Sequence, residues 1–373
     1  MELALMEGNE AIGWGAVAAG CNFFAGYPIT PATTIYNTML RLLPPKGGVC
    51  LQGEDEIASI GFCLGAAMAG MKAMTATSGP GVSLYSEQIS FATGSEIPIV
   101  IVDVQRLGPS TGSATKGADG DIQFLRWGNS GGLPVIVVSP VDVKDCYELT
   151  VQAFNLAEQY RCPVFIATNK EISMTRETLC MEDLTIPPII ERRKADPSEP
   201  FLPFEGRGNR RVPDFLPIGG DRLVRQTSST HGTNGYITTD PEEIATMQER
   251  LNDKLTQAVG EFTYFEEHLA PDADTLVIAY GVTARAAKTA VKRLKGSDHP
   301  TSLLVLKTLW PVPETLIREK AAAYRRIVMA EMNLGQYVRE LQRLLPEKDI
   351  AFWGQMNGEL IKPSRIVALI KNE

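Results

Sequence analysis

Four short stretches of the sequence carry side chains able to do chemistry. In Gln52-Gly53-Glu54-Asp55-Glu56-Ile57-Ala58, three consecutive carboxylates precede a helix rich in small residues, a position where the helix macrodipole favours negative charge. In Val102-Asp103-Val104-Gln105-Arg106, the arginine follows an apolar strand. Open α/β sheets bind their ligands at such strand ends, and a guanidinium fork there suits a carboxylate. In Gly26-Tyr27-Pro28-Ile29-Thr30-Pro31, two prolines stiffen a loop that aims one hydroxyl, Thr30. In Ala76–Leu84, a strand runs through Gly79-Pro80-Gly81 into a helix. Glycines permit close approach to a flat ligand, and the helix start offers free N–H groups. Each stretch alone also has a plain structural reading: helix-start acids, Thr30 or Thr33 capping a helix over 34–43, an ordinary turn, an interface salt bridge.

The elements that must position these residues alternate. Residues 1–186 read as strands near 72–78, 97–104, 134–140 and 163–168, with helices over 57–69 and 143–160 between them, the pattern of a largely parallel α/β domain. Residues 187–270 form a connecting arm, irregular and rich in Pro and Gly, then a helix from Pro241 to about Leu269. Residues 271–373 return to α/β alternation and predict a second, smaller parallel sheet.

Composition removes several function classes. With 44% hydrophobic and 21% charged residues, the chain is an ordinary globular one. It has no apolar run of membrane-spanning length, and its first residues lack a basic signal-peptide region, so the cytoplasm is expected. A net charge of −8 argues against nucleic acid, and it is a poor main docking face for an acidic ferredoxin. The six cysteines form no CxxC and the three histidines lie far apart, so neither an Fe–S cluster nor structural zinc is expected. Gly108…Lys116 fails the P-loop spacing, and no strand precedes a G-x-G-x-x-G, which disfavours triphosphate and dinucleotide sites.

In this order, the four stretches resemble the α subunit of the 2-oxoacid:ferredoxin oxidoreductases. Glu56-Ile57-Ala58 followed by Gly65-Ala66-Ala67 matches the activating-glutamate helix of thiamine diphosphate enzymes. Glu7–Ala11, Tyr27–Pro31, Thr75–Gly81 and the Arg106 segment fit the family. So do Ala153–Pro163, Ala279–Gly281, Leu309–Pro311 and Glu331–Gln336, leaving only the arm at about 187–235 poorly matched. The resemblance implies a thiamine-diphosphate-binding (pyrimidine-domain) fold with a smaller C-terminal domain like that of transketolase. It implies that Glu56 activates the cofactor through the aminopyrimidine, with Glu54 as the competing carboxylate. Tyr27, Pro28, Ile29, Gly79, Pro80 and Gly81 would line the pyrimidine pocket, while Thr30 and Arg106 meet the substrate's carboxylate and carbonyl.

The chain has no GDG followed by a distant Asn and no cluster cysteines. In this family a β subunit supplies the Mg²⁺-diphosphate site and a [4Fe–4S] cluster, sometimes with γ or δ subunits, and coenzyme A takes the acyl group. The implied reaction is oxidative decarboxylation of a 2-oxoacid with ferredoxin as acceptor. Gly108–Gly112 with Thr115-Lys116 is nearest to the 2-oxoglutarate enzymes. Ser110, Thr111 and Lys116 are therefore the candidates for a second carboxylate, with 2-oxoisovalerate or aryl 2-oxoacids as alternatives. A scaffold subunit without chemistry is the competing reading of another class.

Overall fold

The run Ile99–Gln105, IVIVDVQ, has the near-continuous β-branched character of a strand covered on both faces. The structure, a computed structural model, describes residues 3–196, 198–208 and 211–372. In chain order its strands are β1 (Leu3–Glu7), β2 (Phe23–Gly26), β3 (Val49–Gln52), β4 (Ala73–Thr77), β5 (Ile99–Gln105), β6 (Ile136–Val138), β7 (Pro163–Asn169), β8 (Arg176–Cys180), β9 (Gly206–Arg207) and β10 (Val212–Pro213). They continue with β11 (Phe265–His268), β12 (Thr275–Tyr280), β13 (Thr301–Leu306), β14 (Thr308–Trp310), β15 (Arg326–Glu331) and β16 (Asp349–Gly354).

Strand β5 is the centre of a seven-stranded sheet ordered β14-β6-β7-β5-β4-β2-β3. Val100, Val102 and Val104 face the layer containing the Gly8–Ala18 and Val143–Tyr160 helices. Ile99 and Ile101 face the opposite layer, with the Glu56–Met68 and Ser86–Gly94 helices. The second sheet is ordered β11-β13-β12-β15-β16, with β12 splitting its side chains between layers in the same way.

Two expectations need correction. The helix predicted from Pro241 to about Leu269 stops at Thr256; a short 3₁₀ turn follows, and then β11, which pairs antiparallel with β13. The segment Phe265-Glu266-Glu267-His268 forms the edge of the second sheet, which is therefore not wholly parallel. The Thr33–Leu42 helix has Ala32 at its N-cap with no side-chain cap, so neither Thr30 nor Thr33 caps it. The sheets also exchange an edge: β14, directly after β13, pairs antiparallel with β6 of the first sheet. Among the described residues no helix is long and apolar enough to cross a membrane.

The arm does a structural job at the far end of the Glu56–Met68 helix, whose last carbonyls lack intrahelical partners. Buried Arg192 forks onto Glu158 through Nε and Nη2 at 2.6 and 2.7 Å. It also donates to the Ala67 and Met71 carbonyls at 2.7 and 2.8 Å. The Ile218 amide donates to Met68 O at 2.9 Å. A second buried group fastens the Pro241–Thr256 helix: Glu96 accepts from Arg250 and Lys254 at 2.6 and 2.7 Å. Burial alone would push the Glu96 carboxyl up, but the two cations hold it at about 2.

Replacing Arg192 with Ala strands the Glu158 charge and uncaps the helix. Chemical denaturation of Arg192→Ala should therefore show a loss of about 3–5 kcal/mol; a loss below about 1 kcal/mol would refute the arm's role as a strap.

Candidate active site

Strands β2, β3, β4 and β5 run parallel, so the loops leaving their C-terminal ends share one edge of the sheet. Those loops carry Tyr27–Thr30, Gly53–Glu56, Ser78–Gly81 and Arg106. At the helix start, Asp55 is the N-cap, its carboxylate accepting from the Ala58 amide at 2.7 Å. Glu54 is exposed, whereas Glu56, the first helical residue, is buried and turned towards the turn after β4.

Gly81 is where these loops meet. A Cβ there would overlap the Thr77 hydroxyl and lie 2.9 Å from Glu56 Cγ and Oε1. Only glycine lets the Glu56 carboxyl come so close to the Gly-Pro-Gly backbone. Gly79, at φ +26°, has Asp121 Oδ2 and Arg106 Cγ as neighbours, 3.7 and 4.0 Å from where its Cβ would be. Arg106 is 6% exposed, and its Nη1 donates to the Thr30 backbone oxygen at 2.6 Å. Three buried polar atoms of this group, Thr77 Oγ1, Ser78 Oγ and Arg106 Nε, have no hydrogen-bond partner. Buried donors left over in this way are costly unless something else satisfies them.

The structure thus brings together Glu56, Gly79, Pro80, Gly81, Arg106 and the Thr30 backbone. Thr30 and Tyr27 are exposed beside them, with Pro28 and Ile29 half-buried. Ser110 and Thr111 are exposed, and the stem of Lys116 runs along Gly358 of the second domain. Among the described residues none of these three makes a hydrogen bond or ion pair with the Arg106 group. Large concavities lie elsewhere, one of about 980 Å³ bordered by Trp127 and Pro311. Burial and unsatisfied polar atoms, not size, single out the cleft at Glu56.

Sequence reasoning passed over three residues here. Asn9 is buried and donates to Pro31 O and Thr34 Oγ1 at 2.9 and 2.7 Å, which fixes the proline loop. Asp103 lies in the middle of β5, fully buried, and Asp121 sits beside Gly79 and Arg106. A lone acid inside an otherwise apolar central strand was the available signal for Asp103.

The segment 119–123 is moored to the second domain. Asp119 N donates to Met332 O at 2.9 Å, and Asn333 Nδ2 to Asp119 O at 2.8 Å. Gln336 donates to Gly120 O at 2.5 Å and accepts two 2.8 Å bonds from Gln123, one from its backbone amide and one from its side-chain amide. Burial pushes the Asp119 carboxyl up to about 7, against the Asn169 amide at 2.7 Å and with Glu331, Asp121 and Glu171 adding to the rise. A carboxyl raised on folding stabilises the fold fully below its unfolded value near 4 and loses that contribution as pH climbs through 7. Denaturation of the wild type should weaken between pH 4 and 8 by on the order of 3 kcal/mol. Asp119→Asn should remove its own share of that slope, leaving the parts contributed by Asp121 and Asp103, and an unchanged slope would contradict the assignment.

Comparison with known proteins gives the family of the chain. The family described as pyruvate flavodoxin/ferredoxin oxidoreductase, thiamine diphosphate-binding, matches residues 14–250, and the pyruvate:ferredoxin oxidoreductase core domain II matches 273–366. The 2-oxoglutarate synthase subunit KorA of Methanothermobacter marburgensis is 40% identical, over 97% of this chain and 96% of its own. The ketoisovalerate oxidoreductase subunit VorB of Methanothermobacter thermautotrophicus is 32% identical, over 100% and 98%. Among solved structures, the 2-oxoglutarate:ferredoxin oxidoreductase of Magnetococcus marinus, with 2-oxoglutarate, coenzyme A and succinyl-CoA bound, superposes with a TM-score of 0.92 at 33% identity. That match covers 99% of this chain, which spans 65% of the solved one. A split-gene transketolase matches at a TM-score of 0.57 and 14% identity, a likeness of fold alone. The chain belongs to the thiamine-diphosphate-binding pyruvate flavodoxin/ferredoxin oxidoreductase family, to which the 2-oxoacid:ferredoxin oxidoreductases belong.

Proposed function

We propose that this chain is the α-type subunit of a coenzyme A-dependent 2-oxoacid:ferredoxin oxidoreductase acting on 2-oxoglutarate in the cytoplasm, and that it holds the aminopyrimidine half of thiamine diphosphate. The carrying observation is the buried Glu56 carboxyl pressed against Gly81, with the unpartnered Thr77, Ser78 and Arg106 atoms around it. This cradle has the flat backbone surface and the spare hydrogen-bonding groups that an aminopyrimidine needs. Tyr27, Pro28, Ile29, Gly79, Pro80 and Gly81 would line it. When bound, thiamine diphosphate supplies a stabilised carbanion for addition to a 2-oxo carbon and loss of CO₂.

The chain's own residues do the rest. Glu56 would hold the proton at ring nitrogen N1′ of a bound aminopyrimidine. Arg106 binds and orients the substrate carboxylate, with Thr30 beside it at the mouth of the cleft. Ser110, Thr111 and Lys116, exposed on the neighbouring loop, are the groups for the second carboxylate of 2-oxoglutarate.

The site is half of one. Mg²⁺, the diphosphate and a [4Fe–4S] cluster belong to a β subunit, and ferredoxin docks mainly on the other subunits. The Glu56–Met68 helix supports a covering partner, because Ile57 and Phe62 are 49% and 47% exposed beside Gly61 and Gly65, a face without charge.

The decisive experiment is anaerobic co-purification with the partner subunit, followed by viologen reduction with coenzyme A across a panel of 2-oxoacids. Preference for 2-oxoglutarate is expected, and Glu56→Gln should lower kcat by roughly 10²–10⁴-fold without unfolding the complex. Turnover of branched-chain acids alone would replace the substrate, and no thiamine-dependent turnover would leave the scaffold reading. Gly81→Ala should weaken thiamine diphosphate binding by at least about tenfold in calorimetry, since its methyl displaces Thr77 and Glu56. Unchanged affinity would count against the cradle.

A further inference from the structure

Asp103 and Asp121 share the cleft with Arg106 and have no part in the reading above. Asp103 is level with Thr77 of β4 and Ala167 of β7 and fully buried, its carboxyl set against the Gly79 amide and the Asp121 carboxyl. Asp121 Oδ2 is equally buried, and the Asp121 carboxyl has Asp103 as its side-chain hydrogen-bonding neighbour. Asp121 is fixed through its amide, which donates to Gln105 Oε1 at 2.9 Å. Its carboxyl and the Arg106 side chain both lie within about 4 Å of the point where a Cβ on Gly79 would stand.

Arg106 in turn makes no ion pair among the described residues, and its only hydrogen bond there is to the Thr30 carbonyl. Burial lowers its pKa, while the nearby charges of Asp121 and Glu56 oppose the fall. The two aspartates are held apart in proton affinity. Burial pushes Asp103 well above the ordinary carboxyl range, with Asp121 and Asp119 adding to the rise and the Gly79 amide opposing it. Burial likewise raises Asp121, but Arg106 and Asp103 restrain it to about 6. The charged and titratable groups that bear on Asp121 are therefore Arg106, Asp103 and Asp119, with Glu331 and Glu171 behind Asp119. Of the two, Asp103 has the higher proton affinity, so Asp121 is the first to carry the negative charge that balances the arginine.

A carboxylate arriving at Arg106 would place a second anion in that buried space, where charges are weakly screened. We propose that Asp121 is the resting counterion of Arg106, and that it takes up a proton when the carboxylate of a 2-oxoacid displaces it from that role. The step is balanced by one proton from solvent, which forms an O–H bond on Asp121; nothing is oxidised or reduced. Asp121 is thus a positioning residue, acting through Arg106, and the proposal rests on the reading of Arg106 as the carboxylate binder.

Proton-linked calorimetry tests it on the full-length chain assembled with its partner subunit, free of thiamine diphosphate. 2-Oxoglutarate is titrated in phosphate and in Tris, buffers of different ionisation enthalpy. The wild type at pH 7 should take up about half to one proton per site bound, falling towards zero by pH 5. Asp121→Asn should abolish the uptake and tighten binding at pH 8 by at least about threefold, a response that mere loss of structure would not give. Asp103→Asn should keep binding and move the pH midpoint of the uptake. Binding without proton uptake in the wild type would overturn the proposal while leaving Arg106 in place. Uptake that survives in Asp121→Asn but vanishes in Asp119→Asn would also overturn it, moving the proton to the domain interface. Absence of 2-oxoglutarate binding, or binding unaffected by Arg106→Ala, would overturn the reading of Arg106 and this proposal with it.

Discussion

A guanidinium withdrawn from water with no carboxylate in contact imposes the main constraint on this cleft, because a buried charge must be balanced or it costs several kcal/mol. Arg106 meets that constraint only at a distance, through Asp121 and Glu56. Asp121 belongs to a segment that carries no regular secondary structure from Lys116 to Asp121. Its geometry is borrowed from the second domain, where Met332, Asn333 and Gln336 bind its backbone and the adjoining Gln123. The smaller sheet is therefore part of the active edge of the larger one, and not an appendage to it. Glu331 makes that possible by ordering its own loop: it accepts from Tyr280, Asn333 and the Tyr337 and Val338 amides.

The Glu56–Met68 helix is fixed with equal care at both ends. Asp55 caps its start, while Arg192 and Ile218 from the arm take carbonyls at and just beyond its last turn. A carboxyl meant to meet a ligand atom has to be held to a fraction of an ångström. Clamping a helix at both ends removes the axial freedom that would blur it. The arm matches the family motifs least well and still supplies half of that clamp.

What was legible in the sequence follows from the range of the interactions. Glu56, Gly81 and Arg106 could be found because helix starts, Gly-Pro-Gly turns and strand ends announce themselves within ten residues. The Val143–Tyr160 helix was readable to the residue, since Asp142 offers an N-cap and Cys146, Leu149, Val151, Phe154 and Leu156 recur near one face. Asp121 and Arg192 were not readable. Their roles depend on partners on other elements, up to 125 residues away in the case of Arg192 and Ala67. The error at 257–269 has the same origin: the helical pattern of the preceding turns continues, but pairing with β13 decides the conformation.

The exposed face of the Glu56 helix ties assembly to chemistry. A helix whose only charged residue is its first, and which is apolar on both faces, has the composition of a fully buried element. Here one face packs on the sheet through Ile60, Cys63, Leu64 and Ala67, and the other leaves Ile57 and Phe62 in water. Any partner that buries Phe62 must come down alongside the helix that starts at Glu56. It then also excludes water from the cleft where Arg106, Asp121 and Glu56 balance their charges, and lowering the local dielectric strengthens each of those interactions. Covering the helix and drying the cleft at its start are then one event, because Ile57 lies next to Glu56 on the same helix.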